Sequence, residues 1–279
     1  MSNQFVRIRI METQDEGADK AQRAVQSVEV GGRLLLALAN RLEPMSLKDL
    51  AASAALPPSR AHPYLVSYGR LGLVHQDNAT GRYALGPAAL QLGLTALHQY
   101  DPVRAAGPVA EALAADTGQA VALAVWGNFG PTVIRMIDAR QPLHVTMRAG
   151  TVMSMFDTAT GRAFAGVVRP ERIADALAGD ALGANSPPAR VSGAGLRTKL
   201  QPARDELASH GCARAVGRPI PGVNAFSAPV FGHDGEPALV ITLLGHQDHF
   251  PSAWSSPMAT AVKRAAAVIS AQLGYRAVS

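Results

Sequence analysis

Residues 25–86 read VQSVEVGGRLLLALANRLEPMSLKDLAASAALPPSRAHPYLVSYGRLGLVHQDNATGRYALG, and this stretch decides the fold of the first third of the chain. Apolar residues recur at helical spacing in three segments, from about Val25 to Asn40, after Ser46 and after Pro58. The turn residues Asp77–Gly81 follow, with a short alternating segment on each side, as in a β-hairpin. Three helices and a hairpin in this order predict a winged helix-turn-helix.

The same spacing predicts which faces of these helices are buried. The apolar set expected in the core from the first helix is Val28, Leu35, Leu38 and Ala39. The set expected from the third helix is Ala61, Tyr64, Leu65 and Tyr68. This arrangement leaves Ser59, Arg60 and Pro63 on the outer side of the third helix, with His62 on its flank.

Length and charge point to two domains, one of which has an anionic partner. The 279 residues exceed the usual size of one domain, and a hydrophobic fraction of 48% is ample for two cores. Charged residues make up 17% of the chain, which argues against disorder. Residues 20–90 hold eight Lys and Arg against four Asp and Glu, so this segment carries +4 of the total net charge of +5. Positive charge is therefore concentrated in the winged module.

Several classes of protein are disfavoured by the sequence. The one cysteine, Cys212, excludes an intrachain disulfide and fits a reducing cytoplasm. No apolar run approaches the ~20 residues of a membrane span. His246 and His249 flank Asp248 in a loop, where solvated histidines are a better interpretation than a metal site. There is no glycine-rich phosphate loop, so we expect neither an enzyme nor a cofactor.

The rest of the chain alternates helices and strands. Gly86-Pro87 opens a helix over 87–100 that carries Leu90, Leu94 and Leu97 on one stripe, which suits a connector or a dimer contact. Apolar runs predict strands at Ala120–Trp126, Thr132–Asp138, Leu143–Met147, Ala225–Phe231 and Ala238–Leu244. Helical spacing predicts helices at about Thr160–Val168, Glu171–Ala178, Arg197–His210 and Ala253–Leu273. The expected fold class is α+β, with a polar, disordered segment over 1–20.

Eight short motifs occur in order between Val25 and Leu273. They are VQSVE at 25–29, LPPS at 56–59, LGLV at 71–74, TGRYALG at 80–86, DTG at 116–118, RAG at 148–150, TGRA at 160–163 and PGVN at 221–224. With these motifs the chain resembles the IclR family of bacterial transcriptional regulators. The resemblance implies a winged helix-turn-helix over 21–86, a linker helix over 87–100 and a GAF/PAS-like α/β effector-binding domain over 101–275. It also implies homodimers or tetramers, double-stranded operator DNA as a partner and a small organic acid as effector.

The winged helix-turn-helix places particular residues at DNA. The N-terminal part of the third helix faces base edges, and surrounding groups contact phosphates. The expected base-reading residues are Ser59, Arg60 and His62, and the expected phosphate contacts are Ser46, Lys48 and Arg82. The alternative is that Arg60 is a solvated surface arginine and that Arg82 packs on Tyr83. Family members usually carry a basic residue at position 63, so Pro63 predicts either a helix that starts late, at Arg60, or a kink.

The resemblance also implies the residues of the effector pocket. These are Thr158, Ala159, Thr160, Gly161, Ala215, Asn224, Ala225, Thr242 and Leu244. Ala215, Ala225 and Leu244 stand where members that hold small oxoacids have polar side chains, which favours a larger apolar ligand such as an aromatic acid. Its carboxylate would be held by Thr160, by the Thr160 and Gly161 amides and by Asn224. The alternative is that these residues only fill the core of the domain.

The function expected from the sequence is a ligand-responsive transcriptional regulator that acts in the cytoplasm. The alternative is a ligand-binding or interaction protein whose winged domain, altered at Pro63, contacts protein rather than DNA. Salt-dependent operator binding separates these two hypotheses, because phosphate contacts impose a steep salt dependence.

Overall fold

The computed structural model describes residues 24–41, 43–139, 147–180 and 193–276. The chain divides between Gln99 and Tyr100 into two compact units. The segment 1–20, expected to be disordered, lies outside the described residues, as does all but the last residue of the strand expected at Leu143–Met147.

The first unit is the winged helix-turn-helix that the sequence predicts. Its elements are α1 (Gln26–Ala39), α2 (Leu47–Ser53), α3 (Pro58–Arg70), β1 (Val74–Gln76), β2 (Tyr83–Leu85) and α4 (Pro87–His98). β1 and β2 form an antiparallel hairpin. Met45 and Tyr83 exchange two backbone hydrogen bonds of 2.9 and 2.8 Å, which ties the segment before α2 to the hairpin. The wing is therefore fastened to the start of the helix-turn-helix.

The buried face of α1 includes the expected Leu38, with Leu35 partly buried, but Val28 and Ala39 are exposed. Its buried residues are Val30, Gly31, Leu34 and Leu38, whereas Val28 is 68% exposed. A side chain at Gly31 would overlap the hydroxyl of Tyr68. The bare backbone there lets α3 approach closely, and this contact selects the face that turns inward. Helical spacing was ambiguous because α1 carries apolar residues on most of its circumference.

The third helix runs through Pro63 without interruption. It begins at Pro58, so the hypothesis of a late start at Arg60 was wrong. Because Pro63 has no N–H, the carbonyl of Ser59, an exposed residue, receives no helical bond from position 63. The Ser67 hydroxyl donates to the Pro63 carbonyl at 3.0 Å. Burial of Ala61 and Leu65 holds the helix in place despite the missing bond.

The second unit is a five-stranded antiparallel sheet with helices on both faces. Its elements are α5 (Pro102–Thr117), β3 (Ala120–Gly127), β4 (Gly130–Ile137), α6 (Ala159–Val167), α7 (Pro170–Asp180), α8 (Gly193–His210), β5 (Ala213–Val216), β6 (Val223–Phe231), β7 (Pro237–His246) and α9 (Pro257–Gln272). The strand order is β4-β3-β7-β6-β5. The sequence did not predict β5, because this strand has only four residues and one of them is the charged Arg214, so no recognisable apolar pattern forms.

Alternation along the strands sends side chains to two separate cores. Phe226 and Ile241 point to the face covered by α5 and α9. Ala225 and Leu244 point to the opposite face, where they join Phe164 of α6. The second face therefore brings the ends of β5, β6 and β7 under the start of α6. Within the described ranges no helix is long and apolar enough to cross a membrane.

Candidate functional site

The first turns of α3 present an exposed surface in the winged unit. Ser59, Arg60 and His62 are all exposed, as expected for residues that face a partner. His62 also lines a cleft of about 130 Å³ between α3 and the hairpin, together with Val66 and Gln76. His62 thus lies on the flank of the helix that faces the wing.

The three residues expected at phosphates have different surroundings. The Ser46 hydroxyl caps α2, since it accepts from the Asp49 N–H at 3.2 Å and donates to the Asp49 carboxylate at 2.7 Å. Arg82 Nη1 donates to the Pro44 carbonyl at 3.1 Å, so this guanidinium fastens the wing and keeps its other donors for a ligand. Lys48 is exposed on α2.

In the described part of the winged unit, six lysines and arginines stand against four acidic residues. None of the lysines and arginines described in this unit forms an ion pair with a carboxylate. This set consists of Arg33, Arg41, Lys48, Arg60, Arg70 and Arg82. Unpaired surface cations around a helix-turn-helix give the electrostatic surface that a polyanion requires.

In the second unit, most of the expected effector residues meet in one pocket under the start of α6. Seven of the nine line it, namely Thr158, Ala159, Thr160, Ala215, Ala225, Thr242 and Leu244. The volume open to a ligand is about 40 Å³. That space suits one water molecule rather than an aromatic ring, because pockets for drug-sized ligands have volumes of about 300–1,000 Å³.

The remaining two expected residues support the pocket from outside its lining. Gly161 donates its N–H to the Thr158 hydroxyl at 2.9 Å, and a Cβ at this position would overlap the carbonyl of Ser154. Asn224 is buried and uses both ends of its amide, since it accepts from the Gly217 N–H at 3.1 Å and donates to the Phe250 carbonyl at 3.1 Å. Both residues therefore hold backbone segments in place.

A chain of three hydroxyls lies at the base of the pocket. Thr242 Oγ1 lies 2.9 Å from Thr160 Oγ1 and 2.7 Å from Ser227 Oγ. Three hydroxyls carry three protons, and the two bonds between them use two. When the chain runs from Ser227 through Thr242 to Thr160, the Thr160 hydroxyl retains a proton that it can donate to a ligand.

Arg218 is a pocket residue that sequence reasoning missed. Other lining residues absent from the expected set are Met147, Met153, Pro219, Ile220 and Val223. Arg218 adds a cation to a lining that is otherwise apolar or hydroxylic, and its guanidinium has no ion pair with a described carboxylate. The signal available in the sequence was its position three residues before the PGVN motif.

Arg162 connects the pocket helix with its surroundings. Its Nε lies 2.9 Å from Glu206 Oε2 on α8, and Nη1 donates to the carbonyls of Phe156 and Asp157 at 3.3 and 3.2 Å. Nη2 donates to the Arg214 carbonyl on β5. The same Glu206 accepts from the Arg214 N–H at 2.9 Å. One partly buried ion pair thus fixes α6, α8 and β5 around the pocket.

The groups that could suggest catalysis have other surroundings. No cluster of three His, Cys, Asp or Glu side chains suited to a metal occurs among the described residues. His246 Nδ1 lies 3.4 Å from an oxygen of Asp248, and both side chains are exposed. Burial raises the pKa of the Cys212 thiol to about 11, so the nucleophilic thiolate is scarce at neutral pH.

Comparison with known proteins identifies the family. The model of the IclR C-terminal domain of bacterial transcriptional regulators matches residues 94–271, and the IclR helix-turn-helix model matches residues 27–78. The chain belongs to the IclR family. The resemblance found in the motifs, the winged helix-turn-helix and the α+β fold class are therefore confirmed. The matched relatives are transcriptional regulators, which also agrees with the expectation that the chain is not an enzyme.

Individual IclR relatives differ in how much of the chain they match. The glycerol operon regulatory protein of Streptomyces coelicolor is 33% identical over 147 residues, which span 48% of this chain and 58% of that protein. The transcriptional repressor IclR of Escherichia coli is 24% identical over 79% of this chain and 80% of its own. The crystal structure of Pseudomonas aeruginosa HmgR superposes with a TM-score of 0.80 at 31% identity, and covers 91% of this chain and 100% of its own.

Proposed function

We propose that this IclR-family protein is a transcriptional regulator that binds operator DNA through α3 and responds to a small organic acid bound under α6. The observation that supports DNA binding is the exposed, unpaired Arg60 in the first turn of α3. In a helix-turn-helix this position faces the major groove, where arginine pairs with both acceptors of guanine. The protein would act in the cytoplasm, where operator DNA is found.

The proposed DNA binding is tested with a DNA fragment that the full-length protein selects from a random library. We expect its affinity to fall steeply with salt, because each phosphate contact contributes about −0.9 to the slope of log K against log salt concentration. Arg60→Met is expected to weaken binding by about 1–3 kcal/mol and to relax base preference at one position. Arg169→Met, which changes an exposed arginine of the second unit, is the matched control. Absence of any salt-dependent binding would contradict the proposal.

For the proposed effector site, we infer that the carboxylate of the ligand lies beside Arg218 and Thr160. Arg218 supplies the positive charge and Thr160 the free hydroxyl proton, while the apolar remainder of the lining contacts the body of the ligand. Because the space is about 40 Å³, a ligand larger than water must displace Met147 and Met153. Methionine has three rotatable bonds and adapts its shape at low cost. An aromatic acid needs the larger displacement, and a two- or three-carbon oxoacid the smaller one.

Thermal unfolding with a panel of acids tests this pocket. We expect one of pyruvate, benzoate or 4-hydroxyphenylacetate to raise the unfolding temperature and to change operator affinity. Arg218→Met is expected to weaken that ligand about tenfold or more, since a charge-assisted hydrogen bond is lost. Arg264→Met removes an arginine exposed on α9 outside the pocket and is expected to have no effect. Equal ligand affinity in both variants would rule out the assigned role of Arg218.

The proposed regulator is a homodimer or a dimer of dimers that pairs through α4. Leu90, Leu94 and Leu97 lie on one stripe of this helix and are 65%, 49% and 45% exposed. Half-sites in the operator are then expected about one helical turn, ~34 Å, apart or at a multiple. A Leu90→Glu/Leu97→Glu protein is expected to have a lower mass in sedimentation analysis. Leu92→Glu lies off the stripe and serves as the control.

A second candidate function is a winged domain that contacts protein. Pro63 favours it, because a proline replaces the basic residue usual in the family and removes one contact to DNA. In that case the library selection yields no preferred sequence and the salt slope is shallow.

A further inference from the structure

Another cavity of the second unit lies away from the α6 pocket. It is a groove of about 630 Å³ between α8, α9 and the outer end of β6, against about 40 Å³ under α6. Its walls are mostly apolar, with Leu207 and Ala208 on α8, Pro229 on β6 and Ala267 on α9. The volume falls in the range of about 300–1,000 Å³ that small-molecule sites occupy.

The groove exists because β5 covers only part of β6. Backbone pairing between the two strands ends at Ala213 and Ser227, so Ala228–Phe231 pair with β7 on one side and have no strand on the β5 side. This edge is also unsuited to a further strand. Pro229 has no N–H, and the N–H of Phe231 donates to Ser270 Oγ of α9 at 3.0 Å. The edge therefore favours an occupant that fills the groove with side-chain contacts.

Two cations line this apolar groove without a counter-charge. Arg204 on α8 and Lys263 on α9 are each half-buried, and neither forms an ion pair with a described carboxylate. The lining contains no Asp or Glu. The acidic neighbours on α8 are already engaged, since Glu206 pairs with Arg162 and Asp205 accepts from Gln201 at 2.7 Å. A partly desolvated pair of cations favours an anionic ligand.

We propose that this groove is a second ligand site, which takes an amphipathic monocarboxylate. The apolar body of the ligand contacts Leu207, Pro229 and Ala267, and its carboxylate lies at Arg204 and Lys263. The site is separate from the α6 pocket and does not depend on Arg218. Its ligand is larger than anything that the α6 pocket admits in this conformation.

Calorimetric titration of the full-length protein with octanoate tests the site. We expect octanoate to bind more tightly than 1-octanol, which has the same chain without the charge. The Arg204→Met/Lys263→Met protein is expected to bind octanoate about tenfold or more weakly and to lose this discrimination. Ala267→Phe fills the groove and is expected to abolish binding, whereas Arg218→Met is expected to leave it unchanged.

Circular dichroism establishes that each variant is folded, and Ala208→Phe replaces Ala267→Phe if the latter is not. Absence of octanoate binding to the wild type overturns the proposal. Loss of binding in Arg218→Met alone also overturns it, because octanoate then enters the α6 pocket. A lower molar mass of Ala267→Phe by light scattering, with octanoate affinity unchanged, identifies a second copy of the chain as the occupant and equally rejects the ligand site. Operator binding is measured separately, so a negative result with octanoate does not contradict the proposed function as a transcriptional regulator.

Discussion

At the scale of single residues, Arg162 holds the α6 pocket together. Its ion pair with Glu206 is partly buried, with side-chain exposures of 21% and 16%. Breaking a fully buried pair costs about 3–5 kcal/mol, because the remaining charge loses its partner, while exposed pairs contribute about 0–1 kcal/mol. The pocket therefore depends on a residue that does not line it.

Arg162→Met is expected to lower the free energy of unfolding of the second unit by about 2–4 kcal/mol, between these two limits. Urea denaturation followed by circular dichroism measures the change. Arg169→Met removes the exposed pair with Glu236, whose side chains are 65% and 43% exposed, and should cost less than about 1 kcal/mol. If both variants lose the same free energy of unfolding, the contacts of Arg162 with the backbone carbonyls and with Glu206 contribute little to stability.

Burial also determines the chemistry of Cys212. Burial raises the pKa of its thiol from 9.0 to about 11, so the native protein should resist iodoacetamide at pH 8 and react once unfolded. A raised pKa means that folding favours the protonated thiol. Its contribution to stability is complete below pH 9 and is lost as pH rises toward 11. Cys212→Ala should show a shallower alkaline loss of stability, and rapid labelling of the native protein would refute the assignment.

At the scale of elements, α3 combines an intact scaffold with an altered surface. Pro63 is exposed on the side that carries Ser59 and Arg60, while Ala61 and Leu65 are buried. The packing of the buried face of α3 therefore does not depend on the residue at position 63. This separation permits a substitution that changes recognition without changing the fold.

Pro63→Arg is expected to strengthen DNA binding and to steepen the salt slope by about 0.9, the value for one added phosphate contact. It should also stabilise the winged unit by up to about 3 kcal/mol, because the bond to the Ser59 carbonyl is restored. Filter binding at several salt concentrations and thermal unfolding measure the two effects. Pro63→Ala restores the helix bond without the charge, so a steeper slope in that variant would exclude a contact from the arginine.

At the scale of the whole molecule, each unit has its own hydrophobic core. The winged core contains Leu34, Leu50 and Leu65, and the second unit packs Phe226 and Phe164 on opposite faces of one sheet. Units with separate cores can fold separately. We therefore expect residues 100–279 alone to give a cooperative thermal transition and to retain binding of the effector. A fragment without a cooperative transition would mean that the winged unit is required for its stability.

The sequence by itself determined the fold class, the family and the order of the elements other than β5. Helical spacing and turn residues act over a few residues, so the three helices and the hairpin of the wing were recognised from the sequence alone. Seven residues that line the α6 pocket were also named from the resemblance to the family. Contacts between distant segments were decided only by the tertiary structure. The buried face of α1 depends on Tyr68 opposite Gly31, and β5 becomes a strand only where β6 supplies its hydrogen bonds. The position of Arg218 at the α6 pocket and the groove lined by Arg204 and Lys263 both depend on contacts between separate elements. The spacing of residues along one element does not predict which other elements pack against it.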